Sequence, residues 1–268
     1  MVGDELYRLD VGSGGAVRAG VVVAHGLGEH IERYRGLGER LEAMGCAVEG
    51  VDLPGHGRSP GIRGHLGGWG VVEDVFDDMV ARVRERVGEG QPLGLVGHSM
   101  GAFLGLRYME LRPDVFSFAW LSSPLLRPRA MKPASIRFGA RVLAAVCPHC
   151  RLDTGVRPNL CRIVPEGEEP DPYFHSWVTS VWGVELWNLE KEIFEALESL
   201  NPQLRLLITQ GGADTICPAG YARALYELAK VRDKKWLLYR DEMHEPLFGA
   251  RSEEVLRDVM VWLEERID

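Results

Sequence analysis

Short, almost wholly apolar runs rich in β-branched residues alternate along this chain with longer segments that carry a helical stripe, and this alternation restricts the fold more than any other feature. Apolar runs of this kind suit strands buried on both faces, as in a parallel sheet covered by helices, and each parallel pair needs a crossover long enough to hold a helix. Strands are predicted at Val17–Ala24, Ala47–Asp52, Leu93–Gly97, Phe116–Leu121, Leu204–Thr209 and Lys235–Tyr239. Helices are predicted at Tyr34–Met44, Val71–Val87, Ala102–Leu111, Ala219–Leu228 and Ser252–Glu265. In the last of these, Val255, Val259 and Leu263 recur at four-residue steps, giving one apolar face with acids and arginines opposite. The expected class is therefore α/β, with a mostly parallel central sheet flanked by helices.

The alternation lapses between about Pro124 and Leu200, where Pro, Trp, Cys and His accumulate and no strand is evident. An inserted, mainly helical cap is expected there. The 268 residues then divide into a first part of the core over 1–123, a cap over 124–200 and a second part of the core over 201–268.

Charge and cysteine usage narrow the function classes. A hydrophobic fraction of 46% and a charged fraction of 26% are those of an ordinary globular chain. The formal net charge of −8, with arginines scattered among acids, lacks the clustered cations that phosphate backbones require, so no nucleic-acid partner is expected. The opening MVGDELYRLDVG has no basic stretch followed by an apolar run, and stretches such as Val21–Ala24 and Val142–Cys147 fall far short of the roughly 20 residues that cross a bilayer. Five cysteines at irregular spacing fit reduced thiols in a cytoplasm better than a disulfide framework. Cys147 and Cys150, in CPHC, have metal or redox spacing, but a second pair is missing; Cys161, His149 and His175 could complete a zinc site only on paper, and no metal is assigned.

The strongest chemical signal is Gly97-His98-Ser99-Met100-Gly101, placed between an apolar strand and a helical segment. Small residues at both ends allow a turn sharp enough to lift the serine hydroxyl above the sheet edge, the geometry of a nucleophile elbow. A serine hydroxyl is nearly inert at neutral pH and needs a base held by an acid. Asp214, in Gln210-Gly211-Gly212-Ala213-Asp214, and His244, in Met243-His244-Glu245-Pro246, each follow a predicted strand, in the chain order Ser, Asp, His. Glu245 after His244 does not make a zinc motif, because Phe248 stands where a second histidine is needed. Backbone N–H groups of Met100, after the nucleophile, and of Leu27, in the Gly-rich turn His25-Gly26-Leu27-Gly28-Glu29-His30, are the candidate oxyanion donors.

Taken together, HGLGEH at 25–30 with Arg33-Tyr34, DLPGHGRS at 52–59, GHSMG at 97–101 and GGADTICPAG around Asp214 resemble the monoacylglycerol lipase and lysophospholipase branch of the α/β-hydrolases. The likeness spans most of the chain, and Asp171-Pro172-Tyr173-Phe174-His175 resembles the end of that family's cap. It implies hydrolysis of a single acyl chain from glycerol or a related alcohol, without metal or organic cofactor, beneath a cap that forms an apolar channel. It also implies a pocket near Glu29, His30 and Cys217, the last being a thiol through which bulky reagents would inhibit.

Fold and triad leave the leaving group open: a lysophospholipid, a small-alcohol ester or an amide fits the same residues, and a catalytically dead binding module is the remote alternative, although no triad member is missing. The stretch Ile136–Cys147 is apolar around much of its circumference apart from Arg137 and Arg141. Packing against the core is its first reading; lining an acyl tunnel or touching a membrane surface in passing is the second. The tryptophans Trp177, Trp182 and Trp187 have no assigned contact.

Overall fold

The computed structural model describes residues 5–9, 11, 17–126, 134–197 and 200–267. In chain order the elements are β1 (Ala19–Ala24), α1 (Arg35–Ala43), β2 (Cys46–Gly50), α2 (Trp69–Val87), β3 (Leu93–His98), α3 (Met100–Leu111), β4 (Phe118–Ser122), α4 (Ala134–Val146), β5 (Arg151–Asp153), α5 (Pro158–Cys161), β6 (Trp177–Thr179), α6 (Ser180–Ala196), β7 (Arg205–Gly211), α7 (Ala219–Leu228), β8 (Asp233–Tyr239) and α8 (Ser252–Glu264). Among the described residues, β2-β1-β3-β4-β7-β8 form an all-parallel sheet in that spatial order. Every strand and helix expected in the core is present, with ends within two residues of the expectation.

Period-2 alternation sorts the strand side chains to two faces. Val21 and Val23 pack with Leu37 and Leu41 of α1 and with Val255, Val259 and Leu263 of α8. Val22 and Ala24 face the opposite layer, built from Val75, Phe76 and Met79 of α2, Phe103 and Leu106 of α3, and Leu225 of α7. Register aligns the ends that matter: Ala24 pairs with Gly97, His98 with Ser122, Ser122 with Thr209, and Gly211 with Tyr239. The loops leaving β1, β3, β7 and β8 therefore emerge along one edge of the sheet, where ligands of open α/β sheets bind.

The region expected to be the cap differs from expectation in three ways. It contains a two-stranded antiparallel hairpin, β5 against β6, where no strand was evident; three residues per strand are too few for an alternating pattern to register. The expected helix over Ile136–Cys147 forms as α4, but instead of turning its apolar residues to the core it packs on α6 and leaves Ile136, Phe138, Val142 and Val146 exposed. Finally, α6 falls inside 124–200 yet contributes Trp182, Leu189, Ile193 and Leu197 to the core layer beside α3. Among the described residues, no helix is long and apolar enough to cross a membrane.

Candidate active site

Ser99 ends the turn from β3 into α3 with φ 49° and ψ −113°, a left-handed conformation that a residue with a Cβ rarely adopts. Close packing enforces it. A Cβ on Gly101 would lie 2.1 Å from the Ala24 carbonyl oxygen, and one on Gly97 would lie 2.6 Å from the Ala102 Cα, so only glycine permits this approach. The Ser99 N–H donates to the Ser122 carbonyl at 2.9 Å, and its own carbonyl accepts from Phe103 and Leu125 at 3.1 and 3.0 Å.

His244, from the loop after β8, places Nε2 2.9 Å from the Ser99 hydroxyl oxygen and Nδ1 2.8 Å from Asp214 Oδ2. With the Nδ1 proton assigned to face the carboxylate, the Ser99 hydroxyl donates to Nε2. Asp214 is buried but fully bonded: Oδ1 accepts from the Ile216 and Cys217 N–H groups at 2.8 Å each, and Oδ2 also accepts from Gln210 Nε2 at 2.8 Å. Burial would raise its pKa, but the adjacent His244 and these donors hold it below the usual value. Burial would likewise lower that of His244, and the charge and hydrogen bond of Asp214 outweigh it, so His244 titrates above 6.5. His98, with its ring 5.0 Å from that of His244, is driven by burial down to about 4 and stays neutral near pH 7.

The turn after β1 lies against Ser99. A Cβ on Gly26 would come 3.3 Å from the Ser99 Cβ. His25 fixes the turn by donating from Nδ1 to the Gly26 carbonyl at 2.7 Å while its Nε2 accepts from the Leu53 N–H at 2.9 Å. Leu27 follows directly, and Met100 opens α3, where the first N–H groups of a helix have no acceptor within it. Of the expected oxyanion donors, Leu27 thus stands on the turn beside Ser99 and Met100 at the N-terminus of α3 directly after it.

The three residues expected near the pocket serve different partners. Glu29 is buried and accepts from the Gly26 N–H and from Tyr34 Oη, the latter at 2.8 Å. His30 joins Asp171 of the inserted region through Nε2 at 2.9 Å. Cys217 is buried, so the inhibition by bulky reagents expected of it would require this part of the site to open, and its N–H supports Asp214. Of the residues weighed for zinc, His149 packs on His65, His175 on His56, and the Cys161 carbonyl accepts from Glu245. Among the described residues, no three His, Cys, Asp or Glu side chains group as a metal site. Sequence reasoning missed Gln210, whose amide is fully buried on β7, because a lone glutamine in an apolar strand gives no catalytic pattern.

A family model described as Hydrolase_4, serine aminopeptidase S33, matches residues 15–250. The chain belongs to the Hydrolase_4 family. Monoglyceride lipase of Homo sapiens is 29% identical, with 94% of this chain and 84% of its own length covered. The Rattus norvegicus monoglyceride lipase is 30% identical at the same coverage. The crystal structure of Paleococcus ferrophilus monoacylglycerol lipase matches with a TM-score of 0.86 at 32% identity, covering 98% of this chain and 99% of that one. This Hydrolase_4 member is a serine ester hydrolase of the α/β-hydrolase fold.

Proposed function

We propose that the chain is a monoacylglycerol lipase in which Ser99 is the nucleophile, His244 the general base and Asp214 the group that orients His244. The observation that carries this reading is the unbroken chain of contacts from Ser99 Oγ through His244 to Asp214, at 2.9 and 2.8 Å, above a strained elbow. His244 takes the Ser99 proton as the hydroxyl attacks the ester carbonyl, and the N–H groups of Leu27 and Met100 stabilise the oxyanion of the tetrahedral intermediate. Collapse expels the glycerol alkoxide, which receives the proton from His244, and leaves an acyl-enzyme on Ser99. His244 then deprotonates a water molecule, whose attack releases the fatty acid and restores the serine. The similarity to monoacylglycerol lipases supports the choice of leaving group.

The test is fatty-acid release from monoacylglycerols of increasing chain length, by wild type and Ser99→Ala in parallel, with a lysophospholipid and an aminoacyl amide as comparison substrates. Hydrolysis that needs Ser99 and favours a monoacylglycerol upholds the reading. Preference for the lysophospholipid or the amide keeps the triad and replaces the substrate.

The exposed face of α4 supports contact with a lipid surface as well. Ile136, Phe138, Val142 and Val146 are 50, 69, 48 and 80% exposed, with Arg137 and Arg141 exposed on the same helix, the pattern of a segment that rests at a headgroup boundary. Co-sedimentation with anionic phospholipid vesicles, lost in Phe138→Glu, tests it.

A further inference from the structure

Behind the triad lies a group of buried charges that the mechanism above leaves unused. Arg33 Nη1 donates to Glu29 and, at 3.0 Å, to Glu245 Oε1, while Nη2 donates to Glu245 Oε2 at 2.6 Å. The Phe248 ring lies 4.2 Å from the guanidinium. The side chains of Glu29, Arg33 and Glu245 are only 3, 17 and 7% exposed. Glu29 also receives the Gly26 N–H and Tyr34 Oη, so it grips the turn that carries Leu27. Glu245 is covalently next to His244, its N–H donates to the Cys161 carbonyl at 2.8 Å, and Arg162 Nε lies 3.8 Å from its carboxylate.

Stability alone does not account for such an arrangement. Desolvating three charges costs several kcal/mol per ion, and well-packed apolar residues of similar volume are often as stable or more so. What the network supplies is geometry: a planar guanidinium with two parallel bonds to one carboxylate fixes angle as well as distance. We propose that Arg33, held between Glu29 and Glu245, is a positioning residue that fixes the oxyanion turn and the His244 loop relative to each other. Those two loops hold the groups that must act on the tetrahedral intermediate at the same moment, one donating to its oxygen and the other passing its proton. They come from opposite ends of the chain, Gly26 and His244, and Arg33 is the side chain that bonds to the supports of both.

The same network bears on the base itself. The charged and titratable groups facing His244 are Asp214 from the loop after β7, His98 from β3, the adjoining Glu245, and Glu29 from the oxyanion turn; the two glutamates favour its protonated form. Arg33 sets an opposite charge beside both glutamates, so its charge and its geometry have separable consequences.

This inference rests on the catalytic roles proposed above, and the experiment separates the two. kcat, KM and the pH profile of kcat/KM are measured on a soluble short-chain ester for wild type, Ser99→Ala, Arg33→Lys, Arg33→Met and Glu245→Gln, each checked for folding by thermal melt. Activity that vanishes in Ser99→Ala upholds the triad whatever the Arg33 variants do. Arg33→Lys keeps the charge and loses the fork: the expected result is a drop in kcat on the order of a hundredfold, with KM and the acid limb little changed. Arg33→Met is expected to lower kcat similarly and move the acid limb to higher pH, since Glu29 loses its guanidinium partner and Glu245 keeps only the more distant Arg162. Glu245→Gln should move it to lower pH, and this variant together with Arg33→Lys carries the test if Arg33→Met does not fold. Folded Arg33→Lys with unchanged kcat, or a Glu245→Gln acid limb that stays in place, overturns the proposal.

Discussion

Ser99 keeps its left-handed backbone because its neighbours leave the chain no other course, and that makes the two flanking glycines as constraining as the serine itself. Gly101→Ala sets a methyl 2.1 Å from a backbone oxygen of β1, an atom that cannot move without shifting the sheet. Its expected outcome is a fall in kcat with slowed labelling by a fluorophosphonate probe, measured on protein of native secondary structure. On the proposed mechanism His244 must be neutral to accept the serine proton, and its pKa is raised above 6.5, so kcat/KM should decline as pH falls through a midpoint above that value; a midpoint below 6.5 would contradict the bonding to Asp214. Asp214→Asn, which removes the charge but keeps the shape, should lower kcat by about 10⁴-fold. The triad was legible because a serine between glycines after an apolar strand, then an aspartate and a histidine after later strands, is a pattern in one dimension. Gln210 and the partners of Glu245 were not, since they act by meeting residues far away in the chain.

At the level of elements, the inner strands β1, β3 and β4 were readable because burial on both faces makes them nearly uniform apolar runs, whereas the edge strand β8 is only partly buried and shows just its Trp236-Leu237-Leu238-Tyr239 run. α6 was overlooked although Trp182, Leu186, Leu189, Ile193 and Leu197 repeat at helical steps and Thr179 caps it, accepting from the Trp182 N–H. Its tryptophans and the irregular sequence before it obscured the period. Trp182 is fully buried in the core layer. Trp182→Ala should therefore cost about 3–5 kcal/mol and lower the melting temperature by about 10 °C, read by calorimetry. The hairpin β5–β6 had no such signal: its strands are paired by contacts across the insertion rather than by any local pattern. The junction it makes with the core is tight, for the His175 N–H donates to the Gly28 carbonyl at 2.9 Å and Thr179 to Gly64 at 3.0 Å.

Over the whole molecule, solvent access sorts the five thiols into two groups. Cys147 and Cys150 are partly exposed, whereas Cys46, Cys161 and Cys217 are buried, and burial pushes the Cys46 thiol up to about 11. An aromatic disulfide reagent should modify Cys147 and Cys150 in the native protein and the other three only after unfolding, as read by peptide mass mapping; fast modification of Cys217 in folded protein would mean that the thiol is reached by opening near Asp214. The largest effect of scale, however, belongs to α6. It begins in the inserted region, yet most of its length joins the layer beside α3 and so lies between β4 and β7 in the sequence as their crossover. We propose a seam near Thr179: between Ala134 and Ser176 length and sequence can vary, provided that the contacts of His175 with Gly28 and of Cys161 with Glu245 are kept, whereas α6 belongs to the core layer. Substrate range can drift through such exchanges without the sheet, the elbow or the proton path being rebuilt.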